Sequence, residues 1–393
     1  MDASQLVDAL QDALTCGATA IRSRLKLIPA GGEGDKVFPP TYEGGAYATE
    51  DRLLDGVEVK TVLLDSVQSQ ANRLEQALLA AFDAGEIELP MLAVQVGGYG
   101  RVTVLDAPHR AYDAIFRDSL LEGSPFRESP TGQRLVAANS RNATALYELC
   151  PTLLLLGGWD SHGGDSGRGA KIPRALTSEI IGLRAVTGVR TSSRIDPLGV
   201  TVAAGPIFQT PNDDWTLNPE EALRNRDNEP QRRGDGRPSE IGHSNITPSI
   251  QPGGVTLTEA WQIVVLSLPQ LRRLRFPDPQ GEYSVKRDRA CQTVLAALAL
   301  CALTLQAEQG YDLRSRCLLL PIEPLRFECI GPTANEVTAW SLTAATAKAA
   351  FAEAVRRAEG IGIHWQTGLI PLTAQPKLEE LVRRSRAATA AEE

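Results

Sequence analysis

Residues 291–306, CQTVLAALALCALTLQ, are apolar nearly all the way round a helical turn. A helix without a polar face belongs at the centre of a protein, so this segment is expected to be a buried core helix. The 393 residues suffice for two average domains or for one elaborated fold, with ample material for a hydrophobic core. An apolar fraction of 42% and a charged fraction of 22% are those of an ordinary soluble globular protein. No apolar run reaches the roughly 18 residues of a membrane span. The opening MDASQLVDAL has neither the basic nor the apolar region of a secretion signal, so a cytoplasmic protein with no membrane partner is expected.

Six cysteines (Cys16, Cys150, Cys291, Cys301, Cys317, Cys329) are scattered, with no C-x-x-C and no Cys/His cluster. That argues against zinc and against a disulfide framework, and for buried free thiols. Four histidines in the whole chain argue against a histidine-rich metal site, and no cofactor is expected. The net charge of −8 excludes a protein that coats nucleic acid by bulk attraction, but leaves open a local basic groove.

Along the chain, residues 3–15 have the apolar spacing of a short amphipathic helix. In TAIRSRLKLIPAGG, Ile21, Ser23, Leu25 and Leu27 alternate with Arg22, Arg24 and Lys26. A strand here puts three cations on one sheet face; an edge strand guarded by charge is the alternative. A Gly/Pro-rich loop bearing Lys36 and Tyr42 follows, then a strand, VEVKTVLLD. Val67, Ala71, Leu74, Leu78, Ala81 and Phe82 then mark a helix. PMLAVQVGG reads as a strand, PHRAYDAIFRDSLL and NATALYEL as helical pieces, and PTLLLLGGW as a buried strand. Ile172, Leu176, Ile180 and Leu183 suggest a helix, and GVTVAAGPIF one arm of a hairpin. Residues 209–254 are poor in apolar side chains and read as an extended excursion. TLTEAWQIVVLSLPQLRRLRF reads as helical, CLLLPIEPLRFECI as one or two strands, and 336–358 and 377–388 as closing helices. No internal repeat is visible. This order suits an α+β fold with a split βαβ core and large insertions better than a doubly wound sheet.

The stretch DSVQSQANRLE gathers Gln68, Ser69, Gln70, Asn72 and Arg73 at a helix entrance. Asp65 or Ser66 can cap the helix; the remaining free N–H groups, the macrodipole and Arg73 then form an anion site, with Gln70 and Asn72 able to bond sugar or base edges. A well-capped surface helix is the plain alternative. In GGWDSHGGDSGRGAK a phosphate loop fails, because Ala170 intervenes and Ile172 replaces the magnesium-binding hydroxyl. The adjacent Asp160, Ser161 and His162 cannot form a triad by themselves, although Asp160, His162 and Asp165 could hold a metal. The favoured reading has glycines admitting a phosphate, with Arg168 and Lys171 supplying charge. Ser192, Ser193 and Arg194 in TSSRIDPLG can bind phosphate or build a turn, and His243 and Asn245 in EIGHSNITP can bond RNA. Arg272, Arg273 and Arg275 suit a helix C-terminus. Amide- and Arg-rich loops at several β-to-α junctions suit a groove for single-stranded nucleic acid.

The segments GDKVFPPTYEGG, LLDSVQSQANRLE, NATALYELCP, GGWDSHGG with GAK, SSRIDPLGV, EIGHSNITPS and GGVTL…LRRLRFP, in that order over about residues 20–330, closely resemble the backbone subunit of type I-G (earlier I-U) CRISPR surveillance complexes, of the RAMP superfamily. The resemblance implies a modified RRM-like (ferredoxin-like) palm with inserted helices over 20–204 and 256–335. It also implies a thumb-like hairpin excursion over 205–255, with C-terminal helices over 336–393 within one RAMP-type domain. It implies copies polymerising along CRISPR RNA, beside a large subunit, an end-capping or processing subunit and target DNA, in a Cascade complex of antiviral defence. In related backbones an S-Q-x-x-[KR] element lies on RNA; here it is Ser69, Gln70 and Arg73. The stripe Arg22, Arg24, Lys26 then tracks the guide, with Lys36, Gln68, Asn72, Arg168, Lys171, Ser193, Arg194, His243 and Asn245 as further contacts. A non-catalytic subunit is expected. The competitor is a RAMP endoribonuclease using His162 or His243; a nucleotide-binding metabolic enzyme rests only on the defective phosphate loop.

Overall fold

The protein is described from a computed structural model covering residues 1–160, 171–365 and 368–392. It is a mixed α+β fold of two compact units, one formed by residues 1–185 with 256–379, the other by 186–255 with 380–393.

The first unit is organised by a mainly antiparallel sheet. Its strands are β1 (Ala20–Pro29), β2 (Thr49–Leu54), β3 (Val57–Asp65), β4 (Leu176–Leu183), β5 (Glu259–Ser267), β6 (Tyr311–Arg314), β7 (Cys317–Pro321), β8 (Arg326–Ile330) and β9 (Val337–Ser341). They run in the order β6-β7-β1-β5-β4-β3-β2, with β8 also pairing β1 and β9. The cation-bearing segment is thus a central strand, and the edge-strand reading is overturned. Ile21, Ser23, Leu25 and Leu27 are buried, while Arg22, Arg24 and Lys26 oppose Val265, Ile263 and Trp261 of β5 on the other face. Residues that oppose each other in a ladder share a face, so the alternation read from sequence is the alternation built.

Helices α1 (Ala3–Thr15), α2 (Val67–Asp83), α3 (Val285–Gln309) and α4 (Ala344–Glu359) supply the rest of the core. The predicted core helix is α3, packed against α1, α2 and α4. By length and composition α3 could cross a bilayer, a length the sequence reading missed; yet 89% of its apolar window is buried inside the protein. A second sheet joins Met91–Val96, Gly100–Thr103, Leu369–Ala374, Ser119–Leu121 and Ser124–Pro125; its Leu369–Ala374 and Met91–Val96 pair is parallel.

Three segments depart from expectation. PTLLLL is a short helix, Pro151–Leu156, stopped by Gly157 at φ +80°; leucines buried on every side carry no period to read. Residues 176–183 form β4, not a helix, because a spacing of four is also a multiple of two and fits one face of a strand. Residues 259–267 form β5, rich in β-branched side chains, and only Leu268–Arg272 is helical, its Gln270 N–H capped by Ser267 Oγ. Likewise PHRAYDAIFRDSLL ends in a strand, and 337–341 is strand before α4 begins.

The second unit contains a two-stranded ribbon, Val186–Arg194 with Ile246–Thr256. Its first arm is 186–194, and GVTVAAGPIF, expected as an arm of a hairpin, holds a single turn, Val202–Ala204, and runs into the two-residue strand Phe208–Gln209. The chain leaves the first unit after Ala185 and re-enters at Thr256, and the nearby Leu183 and Glu259 are partners across the β4–β5 ladder.

Candidate nucleic-acid interface

The entrance of α2 is built on a buried acid. Ser66 caps the helix, its Oγ accepting the Ser69 N–H, and Asp65 before it is fully buried. The Asp65 carboxylate accepts from Ser69 Oγ at 2.7 Å, Gln70 Nε2 at 2.6 Å, Arg73 Nε at 2.9 Å and Arg314 Nη2 at 3.2 Å. Gln70, 0% exposed, turns its Oε1 to Ser178 Oγ at 2.7 Å, Gln262 Nε2 at 3.0 Å and Gln306 Nε2 at 3.3 Å. The Tyr311 hydroxyl closes the network on Gln262 Oε1 at 2.9 Å. Arg73 also donates to the carbonyls of Asp312 and Leu313. The Gln70 side chain is therefore taken up by partners inside the protein, where the sequence reading sets it toward sugar or base edges. Ser69, Gln70 and Arg73 stitch α2 to the sheet and α3, satisfying a buried charge that would otherwise be costly. Two guanidiniums answer one carboxylate, so a net positive charge remains where Arg73 and Arg314 are each a quarter exposed.

Gln68 and Asn72 lie on the other, exposed side of α2 and line a groove of about 460 Å³. The same groove is lined by Lys171, paired across a two-residue ladder with Trp159, and by Arg174, His109 and Trp159, which is 60% exposed. Among the described residues lining this groove, none is acidic. One lining residue, Arg110, is held from behind by a buried ion pair: its Nε and Nη2 donate to Glu75 at 2.6 and 2.8 Å, and its Nη1 donates to the Gly157 carbonyl at 3.0 Å. Burial pushes the Glu75 carboxyl up to about 7, against the pull of Arg110 and of a hydrogen bond from Thr152. Arg174 donates to the Leu156 carbonyl at 2.9 Å, and burial, then the Arg110 charge, lowers its pKa. A Cβ on Gly157 would meet Arg174 Cγ at 2.8 Å, so only glycine lets Arg174 lie there.

Of the other sequence-derived candidates, Arg22 and Lys26 are ion-paired with Glu328 and Glu259, and the Arg24 guanidinium sits 4.7 Å over the Trp261 ring. Their charge on the sheet face is thus largely answered within the protein. Lys36 is half-buried in the loop after β1 and does not line the groove. Arg168 lies outside the described residues, as do His162 and Asp165. In the second unit, Arg194, His243 and Asn245 converge on buried Asp196, 3.7 Å from Arg194 Nη2 and 3.6 Å from His243 Nδ1. Asn245 Oδ1 accepts the Asp196 N–H at 2.7 Å, and the Asp196 carboxylate accepts the Ser244 and Leu198 N–H groups. These residues fasten a turn, while Ser193 is exposed on the ribbon. Among the described residues, no group of three or more His, Cys, Asp or Glu is placed to hold a metal.

The sequence reading missed His109, Trp159 and Arg174. Trp159 carried a signal, a large aromatic beside two glycines at the mouth of a loop; His109 and Arg174 carried none, since only the fold brings them to α2.

Residues 21–187, less than half of the chain, match a family model described as CRISPR-associated protein GSU0053. The matched span runs from β1 to the first residues of the ribbon and contains every residue that lines the groove. The match supports a CRISPR-associated protein of the RAMP type with a role in CRISPR defence. No curated protein matches the chain.

Proposed function

We propose that the protein is a non-catalytic subunit that binds CRISPR RNA and assembles in copies along the guide, in a type I-G Cascade complex in the cytoplasm. The observation that carries this reading is the groove beside α2, which has no acid among its described lining residues and gathers Gln68, Asn72, Lys171 and Arg174 within the family-matched span. Cations and amides lining one groove suit a ribose-phosphate chain without reading its sequence. The main sheet supports the reading: β1, α2, β4, β5, α3 and β7 follow in sequence, and the strands lie in the order β7-β1-β5-β4, an order that suits a split βαβ palm. The ribbon unit is inserted between β4 and β5, where a thumb hairpin would belong in such a palm.

In this reading Lys171 and Arg174 hold phosphates, Arg73 and Arg314 add charge at the α2 entrance, and the guide's own base edges select the target strand, as in other RNA-guided effectors. Large and end-capping subunits and target DNA complete the assembly. Size-exclusion chromatography with and without CRISPR RNA tests it. The isolated chain should elute as a monomer and shift to a large species on RNA, and Lys171→Ala with Arg174→Ala should abolish the shift. Because two phosphates then keep their counterions, the double variant's slope of log K against log salt should flatten by about 1.4 for a single strand. RNA-driven assembly unchanged in that variant overturns the groove assignment, and specific cleavage of precursor repeat RNA overturns the non-catalytic one.

A further inference from the structure

The same groove has features that phosphate contact alone does not require. We propose that it receives a single unstacked nucleotide of single-stranded RNA, whose base lies flat on the indole of Trp159. This rests on the RNA-binding reading and goes beyond it by assigning a base-binding subsite. Trp159 is 60% exposed, yet its backbone is fixed by the ladder to Lys171. Cross-strand partners point to the same face, so the ring and the ammonium stand side by side. A π-face accepts any base, and stacking of one base on an aromatic side chain typically contributes about 1–3 kcal/mol.

The α2 side of the groove fits the edge of that base. Gln68 and Asn72 are one helical turn apart on α2, and both are exposed to the groove. Each amide offers both donors and an acceptor, so either can turn to suit a purine or a pyrimidine. The volume of about 460 Å³ falls within the usual range of small-ligand sites, about 300–1,000 Å³. Lys171 and Arg174 flank the platform and can take the attached phosphate. Arg110 does not compete for it, because it is already bound in a fork by Glu75.

The test uses the full-length protein and two probes of equal length, a short adenosine RNA and its abasic ribose-phosphate counterpart, followed by fluorescence anisotropy. Trp159→Ala should weaken binding of the adenosine strand by about five- to 150-fold, the equivalent of one base stack. The abasic strand should be bound as by the wild type. Trp159→Phe should restore most of the affinity, and 2-aminopurine in the adenosine strand should be quenched by the wild type and not by Trp159→Ala. Since the ring is exposed, the thermal midpoint should stay unchanged. If Trp159→Ala binds the adenosine strand as the wild type does while Lys171→Ala weakens both strands, the stacking site falls and the RNA reading stands. If the wild type binds neither strand, both fall.

Discussion

Gln70 shows how a polar residue at a helix entrance can serve the interior. Its amide donates to Asp65 and accepts from Ser178, Gln262 and Gln306. Gln70→Ala should therefore cost about 2–5 kcal/mol in a urea titration, because several buried groups lose a partner at about 1–3 kcal/mol each. Asn72→Ala, on the exposed side, should leave the urea midpoint in place. The difference was legible in spacing: Gln70 lies four, seven and eleven residues before Leu74, Ala77 and Ala81, all on the buried face. Residue type pointed outward where periodicity pointed inward, and burial followed periodicity. Glu75 makes a pH prediction of definite sign. Its folded carboxyl titrates near 7 against an ordinary 4.5, so the native state binds the extra proton between those values. Stability should fall as pH rises through that window, by at most about 1.4 kcal/mol per unit, and level off above it. Urea midpoints measured from pH 5 to 8 should show this slope in the wild type, and Glu75→Gln should remove it.

Among elements, the segment from Pro151 to Leu183 most rewards comparison with its sequence. Its described residues form a helix, a glycine stop, a two-residue ladder and a central strand. Apolar runs buried on all sides have no period, and β4 uses positions whose spacing of four serves helix and strand alike. By contrast, α2, α3 and the strand β1 each present one consistent pattern, and each was legible. Gly157 is the pivot of the difficult segment. At φ +80° and ψ 163°, a side chain there is strained by about 1–3 kcal/mol, and its Cβ would strike Arg174. Gly157→Ala should lower the melting temperature and also weaken RNA binding, since Arg174 must leave the groove wall. Gly158→Ala, beside Leu153, tests whether binding loss is specific to position 157: it should destabilise while leaving Arg174 in place.

For the whole molecule, a net charge of −8 and a cationic groove are compatible because the charges are sorted by partner. Arg22, Lys26, Arg52, Arg110 and Arg127 are matched by acids, whereas the wall holding Lys171 and Arg174 carries no acid among the described residues. Composition could not reveal this, because it counts charges without locating them. The ladder partnership of Leu183 with Glu259 has a separate engineering consequence. The intervening chain starts and finishes at neighbouring points, so it is a detachable cassette: a short glycine turn in place of residues 186–255 would close the gap and shorten the loop. Such a trimmed protein should melt cooperatively and still capture a short RNA, making the excised stretch open to exchange, lengthening or labelling without rebuilding the body that carries it.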